Sequence, residues 1–421
     1  MNFPFRTLVK KSLANPLIAG SSVLFAGGMF ANFGNYLYHL LMGRMLGPKD
    51  YGALTSLISL AYIFAIIATS LSTAVVKFTT QYRAQKKYQE LYLFFRQLTK
   101  VFFVFGTFIF IFTVLAQEKI AEFLNLSDSF PVTLVGIWMF LSFLAFINDG
   151  MLRGFFRFGF ISLNAVLTTI LKLGLAIILV RWGFSVAGAL GAIILGSAFA
   201  YLFSFYPLRF LRQYKDGARS VNWRGFFSYT IPVLLANLGL TSLYSSDIIL
   251  VKHLFPAYEA GLYASLAVLG KIVFFVSGTV PAVMFPLVSE RFENGKNYQN
   301  LFRQSFLIIG GVSLLVIAIY FSFPKLMINL LYGSVYLTAA PLLGIFAVFI
   351  ALYSECNLLV NFFLSIRKTW LVVLPVLAAL LQIVLIWFFH QSLFQVILIS
   401  MGVCALLLGG LLLCYWQNEK R

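Results

Sequence analysis

Read as a string of apolar and polar positions, the chain alternates runs of about 21 to 30 nearly uninterrupted apolar residues with short polar punctuation. The runs fall at 17–46, 52–77, 91–116, 131–151, 158–181, 184–206, 226–251, 261–288, 302–323, 338–362, 369–389 and 392–416. At 1.5 Å of rise per residue each is long enough to cross a hydrocarbon core of about 30 Å. None alternates with the period of two that barrel strands need, so each predicts a helix. Twelve such runs predict an all-α polytopic membrane protein.

Composition agrees and narrows the function classes. Hydrophobic residues make up 61% of the 421, charged ones 10%, and the mean hydropathy is +0.92. A soluble core of this size cannot bury so much apolar surface. The formal net charge is +18, but the basic residues gather in alternate connections. In the twelve-span reading, 21 Lys and Arg fall on one side of the membrane. Six fall on the other: Arg44, Lys49, Lys119, Arg181, Lys252 and Lys325. Basic loops face the cytoplasm, which places both termini there. The partners of that charge are then membrane lipids, with no nucleic acid required. The opening MNFPFRTLVKKSLANP has the make-up of a short interfacial helix, and it runs into the first span without a small-x-small cleavage site. Cys356, Cys404 and Cys414 lie inside spans without metal or disulfide spacing, and neither metal nor cofactor is expected.

Residues 209 positions apart repeat one another. LLMGRMLGPKDYGALTSLISL sets against ILVKHLFPAYEAGLYASLAVL, so that Asp50 meets Glu259, Gly52 meets Gly261 and Ser56 meets Ser265. Tyr88-Gln89 matches Tyr298-Gln299 with one extra residue, and ANFG at Ala31–Gly34 resembles ANLG at Ala236–Gly239. Six spans separate the copies, so they enter the membrane in the same sense. The expected architecture is a parallel duplication: a six-helix lobe over 1–208, a basic cytoplasmic linker over 209–227 and a second six-helix lobe over 228–421. Transporters built this way bind substrate between repeats and rock one against the other. Gly47-Pro48 reads as the turn after span one, with Lys49 and Asp50 in water.

FANFGNYLYHLLMGRMLGPKDYGALTSL, with its R-x-LGP-x-DYG-x-L turn, and the basic run after span two carry a family resemblance. The chain resembles the polysaccharide and oligosaccharide flippases of the multidrug/oligosaccharidyl-lipid/polysaccharide exporter superfamily. The resemblance implies a non-enzymatic transporter in the cytoplasmic membrane of a prokaryote. Its substrate would be a polyprenyl-(pyro)phosphate-linked glycan, and its neighbours a glycan polymerase or glycosyltransferases. Two other functions stay open. An ion-coupled multidrug or small-cation exporter of the same superfamily would need a carboxylate-dominated cavity. A membrane-embedded glycosyltransferase or polymerase would need catalytic residues in a substantial outer loop.

Intramembrane polar groups are where such chemistry would sit, because a lone charge in hydrocarbon is costly. Lys271, about 15 Å into span eight by helical rise, and Lys172, mid-span in span five, are candidate phosphate ligands. Arg44, at the end of span one, is a third that would meet a departing phosphate. Asn32 and Asn35 share a face of span one with His39, and Asn237 is the repeat partner of Asn32. These amides either bind sugar hydroxyls from a cavity wall or hold neighbouring helices together. Asp247 and Glu355 are candidates for ion coupling. The competing reading makes either the partner of a buried Lys, or Asp247 an interfacial group already in water. Asp149 is expected to pair with Arg153 one turn on.

Overall fold

A computed structural model of the chain describes residues 16–214, 223–277, 279–366 and 368–419. For some residues inside the helices, Lys271 among them, it describes the backbone alone. The interfacial helix expected at the N-terminus and residues 215–222 of the expected linker lie outside the described residues.

Helices follow one another with no strand among the described residues. The first half holds α1 (Pro16–Ala84), α2 (Tyr88–Leu115), α3 (Gln117–Phe123), α4 (Phe130–Gly154), α5 (Phe158–Leu179) and α6 (Ser185–Ser204). The second holds α7 (Trp223–Leu243), α8 (Ser246–Leu254), α9 (Ala257–Ser277), α10 (Thr279–Glu293), α11 (Gln299–Ser322), α12 (Pro324–Leu331), α13 (Ala340–Ser365), α14 (Val373–Phe388) and α15 (Leu393–Glu419).

Nine helical stretches among the described residues are long and apolar enough to cross a bilayer. They become ten if Val233–Leu243 and Ser246–Leu254, bent by 42°, form one. Two of the nine exceed a single crossing, Ala26–Ala84 with 59 residues and Phe158–Ser204 with 47, where about 20 suffice. Each is interrupted by a glycine in the left-handed region, Gly47 at φ 72° and Gly183 at φ 92°, a state that side-chain-bearing residues avoid. The interruptions fall where the hydropathy pattern places the turns after spans one and five. Lys49 is exposed there as expected, but Asp50 is half-buried. The run at 261–288 is divided between α9 and α10.

Helix α2 shows how these sequences pack. Leu91, Phe94, Leu98, Phe102, Gly106, Ile109 and Thr113 recur every three or four residues and are buried. Val101, Val104, Phe108, Ile111 and Leu115 are equally apolar and exposed. One stripe touches protein and the rest is left for lipid. Glycines set the close contacts. Gly150 and Gly154, four apart on α4, lie against Val75 and Thr79, four apart on α1, and an added Cβ would stand 2.8 and 2.5 Å from them.

The chain clusters into two compact units. The first is Met1–His39, Ile67–Lys119 and Asp128–Ile231; the second is Leu40–Ile66, Ile120–Ser127 and Pro232–Arg421. In the second, α13 is buried along most of its circumference and packs on α9, α10, α11, α12 and α15.

The second unit also contains both copies of the repeated corner, and they meet. An added Cβ at Gly52 would stand 2.8 Å from the Gly261 nitrogen, and one at Gly261 only 1.9 Å from the Pro48 oxygen. Ser56 Oγ donates to the Ala53 carbonyl (2.9 Å), and Ser265 Oγ to that of Leu262 (2.7 Å), the same bond 209 residues on. The correspondence extends to exchanged partners. Arg44 donates from Nε to the Leu331 carbonyl at 3.0 Å and from Nη2 to Leu330, at the end of α12. Its counterpart His253 hydrogen-bonds through Nδ1 to the Phe123 carbonyl, at the end of α3. Each short helix is closed two residues later by a left-handed residue, Asn125 at φ 47° and Gly333 at φ 95°. A residue touching its own counterpart, and matched residues exchanging matched partners, are what an internal twofold produces.

Candidate functional site

The first cluster lies in the first unit. Gly27 and Gly34, seven apart on α1, face Ser162 and Thr169, seven apart on α5. An added Cβ would come within 1.8 Å of Ser162 Oγ and 2.1 Å of Thr169 Cγ2. This approach of the helices brings Lys172 of α5 to Asn35 and Tyr38 of α1. Lys172 Nζ donates to Asn35 Oδ1 and lies 4.8 Å from the centre of the Tyr38 ring. The Tyr38 hydroxyl in turn donates to the Ala189 carbonyl of α6 at 3.0 Å. An amide oxygen and a π face orient the ammonium without neutralising it, and no carboxylate among the described residues pairs with it. Lys172 is half-buried and Asn35 exposed, so the charge borders open space.

Two side chains passed over in the sequence lie on the same helix as Lys172, against α6, where Asn164 Nδ2 donates to the Ala200 carbonyl at 3.2 Å. Asn164 and Thr168 precede Lys172 by eight and four residues on α5, and Asn164 Oδ1 and Thr168 Oγ1 are buried without a hydrogen-bond partner. The Tyr36 hydroxyl on α1 is in the same condition. The i, i+4, i+8 spacing with an intramembrane Lys was the available signal. Asn32 is exposed on α1 with no partner among the described residues, and His39 sets its ring edge-on to Tyr38 at 5.6 Å.

The remaining candidates belong to the second unit. Arg44 is exposed, and its guanidinium is committed to the last carbonyls of α12, where a cation offsets the negative end of the helix. Asn237 is half-buried on α7. Lys271 occupies α9, and its side chain lies outside the described residues. Asp149 and Arg153 pair at 2.6 Å in the first unit, as their spacing predicts.

Asp247 is 1% exposed, which removes the reading of it as an interfacial group in water. It sits just past the break between α7 and α8. Its Oδ1 accepts from the Ile248 N–H at 2.9 Å and its Oδ2 from the Tyr263 hydroxyl of α9 at 2.7 Å. Tyr263 also bonds Ser400 of α15, whose Oγ accepts from Gln382 Nε2 of α14 at 2.9 Å. In this buried network Gln382 Oε1 lacks a partner, and so does Ser245 Oγ, two residues before Asp247. The buried carboxylate could take a proton or a small cation.

Glu355 of α13 is 7% exposed, and neither carboxyl oxygen has a hydrogen-bond partner among the described residues. It faces Gly310 of α11, where an added Cβ would lie 3.5 Å from Oε1. Ser313, one turn further on α11, also has a buried hydroxyl without a partner. No three His, Cys, Asp or Glu side chains converge as metal ligands among the described residues.

Residues 41–341 match the model of a family described as polysaccharide biosynthesis protein. A sequence search of curated proteins finds no match. The fold is similar to those of transporters of the MOP superfamily. It is similar to an inward-facing multidrug resistance MATE transporter of that superfamily (TM-score 0.73, 15% identity, 91% of this chain and 95% of the other). It is similar also to the lipid II flippase MurJ in an inward closed conformation (0.70, 13%, 93% and 87%). A third likeness is to a MOP superfamily transporter from Pyrococcus furiosus, described as having a binding pocket of reversed polarity (0.65, 18%, 96% and 97%).

Proposed function

Because the chain belongs to the polysaccharide biosynthesis protein family, we propose that it is a flippase. It carries a polyprenyl-(pyro)phosphate-linked oligosaccharide across the cytoplasmic membrane for cell-surface polysaccharide assembly. The observation that carries this reading is the Lys172 ammonium, oriented by Asn35 and Tyr38 and left with its charge. A glycan lipid presents an anionic phosphate followed by hydroxyls. Lys172 binds the phosphate, and Asn32 and Asn35 offer amides to the sugar. Lys271 and Asn237 supply the corresponding groups from the second repeat. The tail stays in lipid while the head crosses, since moving a hydroxyl-rich anion through bare hydrocarbon is prohibitive.

Dividing the two overlong stretches at Gly47 and Gly183 and counting the bent pair as one gives twelve crossings. These form two lobes with both termini cytoplasmic, and the lobes alternate access by rocking. Asp247, buried just past the break between α7 and α8, is the ion-coupling site. The polymerase and glycosyltransferases of the same glycan are its functional neighbours.

Glu355 favours a second reading, ion-coupled export of small organic cations, because an unpaired buried carboxylate can exchange a proton for a cationic drug. One experiment separates the two. Proteoliposomes of the purified chain are loaded in parallel with a fluorescent polyprenyl-diphosphate-linked oligosaccharide and with ethidium. The flippase reading expects leaflet exchange of the first and no proton-driven movement of the second; the opposite pattern overturns it.

A further inference from the structure

Apart from these sites, the first unit contains a cavity of about 570 Å³ at one end of its spans. It is lined by Arg83, Tyr88, Phe155, Phe156, Arg157, Phe158, Phe210 and Tyr214. The walls are the end of α1, the starts of α2 and α5, the end of α4 and the 206–214 segment, so the cavity opens where membrane gives way to water.

Among the described residues its lining is a cationic and aromatic surface with no acid in it. Arg83 donates from Nη1 to the Gly154 carbonyl at 3.3 Å and lies 4.7 Å over the Phe156 ring. Its other guanidinium N–H groups remain for a ligand. Arg157 is exposed, and its side chain has no partner among the described residues. Tyr88 stacks on Tyr214 at 5.0 Å and 21°, and Phe155 meets Phe210 edge to face at 5.1 Å.

The backbone beside the cavity is strained at two positions. Phe156 has φ 57° and Lys86 φ 56°. Each stands at the position where a helix ends by the 6→1 and 5→2 bonding pattern that normally takes glycine. The bonds are Arg157 N to Leu152 O (3.0 Å) with Phe156 N to Arg153 O (2.9 Å), and Lys87 N to Tyr82 O (2.9 Å) with Lys86 N to Arg83 O (3.0 Å). A bulky residue in that conformation costs about 1 kcal/mol or more. Phe156 is nevertheless kept there, 45% exposed, with its ring under Arg83.

We propose that this cavity is a binding site for one anionic phospholipid. The phosphate ester is held between Arg83 and Arg157, and the glycerol and first acyl carbons lie against Phe155, Phe156 and Phe158. Paired guanidinium groups suit a phosphate. Aromatic side chains at a span end suit the zone between headgroup and acyl chain. The volume admits a headgroup with the start of its chains, which then continue into the bilayer. The site is separate from the Lys172 wall and does not depend on what the protein transports.

The test is the thermal stability of the full chain in detergent micelles, titrated with dioleoyl phosphatidylglycerol, dioleoyl phosphatidylcholine or soluble glycerol 1-phosphate. A lipid that binds the folded state raises the Tm with its concentration. Phosphatidylglycerol should raise it saturably and the other two should not. The half-maximal concentration should rise at least tenfold in Arg157→Gln and in Arg83→Gln. Arg157 is the cleaner variant, because losing it breaks no internal bond. A Lys86→Gln/Lys87→Gln variant removes charge beside the cavity and should leave the midpoint within twofold. The proposal is overturned if glycerol 1-phosphate works as well as the lipid, if phosphatidylcholine does, or if the two lysines matter as much as the two arginines.

Discussion

Replacing Lys172 by Gln is the most direct test of the flippase reading, because the structure separates what the ammonium does for the fold from what it offers a substrate. Of its three N–H donors one is spent on Asn35 Oδ1, leaving two and the full charge for a phosphate oxygen. Glutamine is long enough to keep a donor on Asn35, so insertion and packing should survive. What is lost is a charge-assisted hydrogen bond to phosphate, about 1.5–3 kcal/mol. At about 1.4 kcal/mol per decade, that predicts a roughly 10- to 100-fold loss of affinity for the lipid-linked glycan. Half-burial keeps the estimate at this level, below the value of a fully dry ion pair. The assay is initial leaflet exchange of fluorescent polyprenyl-diphosphate oligosaccharide in proteoliposomes, at several substrate densities and with matched amounts of folded protein. Lys172→Arg should retain most of the activity. A Lys172→Gln protein that transports within twofold of the parent would refute the phosphate role.

Three further outcomes follow from the same geometry. Gly261→Ala puts a methyl 1.9 Å from a backbone oxygen of the repeated corner, so it should destabilise by about 1–3 kcal/mol or more; Gly28→Ala, with open space at its Cβ, should leave the Tm unchanged in the same thermal-shift assay. Glu355→Leu removes a buried carboxyl without hydrogen bonds and should raise stability by about 1–3 kcal/mol; if this also leaves proton dependence of transport intact, Glu355 has no part in coupling. Arg44→Ala removes the cation at the end of α12 and should cost about 0.3–2 kcal/mol with no change in substrate affinity, where a phosphate role for Arg44 would weaken binding.

The sequence already displayed what depends on composition and period: the membrane class, the correspondence of Gly52 with Gly261 and the Asp149–Arg153 pair. It could not display neighbours. Asn35 is 137 residues from Lys172 and Leu331 is 287 from Arg44. When helices are apolar on all sides, no stripe in the pattern announces which face touches which partner. The short helices α3 and α12 escaped for another reason: at seven and eight residues they are too brief for a periodic signal. The bend before Asp247 lies inside an uninterrupted apolar run. Only the structure reveals that this carboxylate is buried, and that the break leaves the Ser245 hydroxyl without a partner beside it.

Lys172 lies in one compact unit, and Asp247 and Glu355 in the other. A protein that needed only to be stable would replace a buried, unpartnered carboxyl with a hydrocarbon, since packing would improve and a desolvation cost would vanish. Keeping Glu355, and the unpartnered Gln382 Oε1 and Ser245 Oγ, makes sense if these groups are satisfied in another state or by an ion. Coupling between such a site and the Lys172 wall must act through the equilibrium between conformations, and it is therefore reciprocal. On the flippase reading, whatever factor the ion applies to glycan-lipid affinity, the glycan lipid must apply to ion affinity. With the protein immobilised in nanodiscs, substrate affinity measured with and without sodium, and across a pH series, gives one side of that identity. Sodium or proton affinity with and without substrate gives the other. Equal factors that both collapse to one in Asp247→Asn, but survive in Lys172→Arg, would assign the ion to the second unit and the phosphate to the first. Factors that persist in Asp247→Asn would move the coupling site to Glu355.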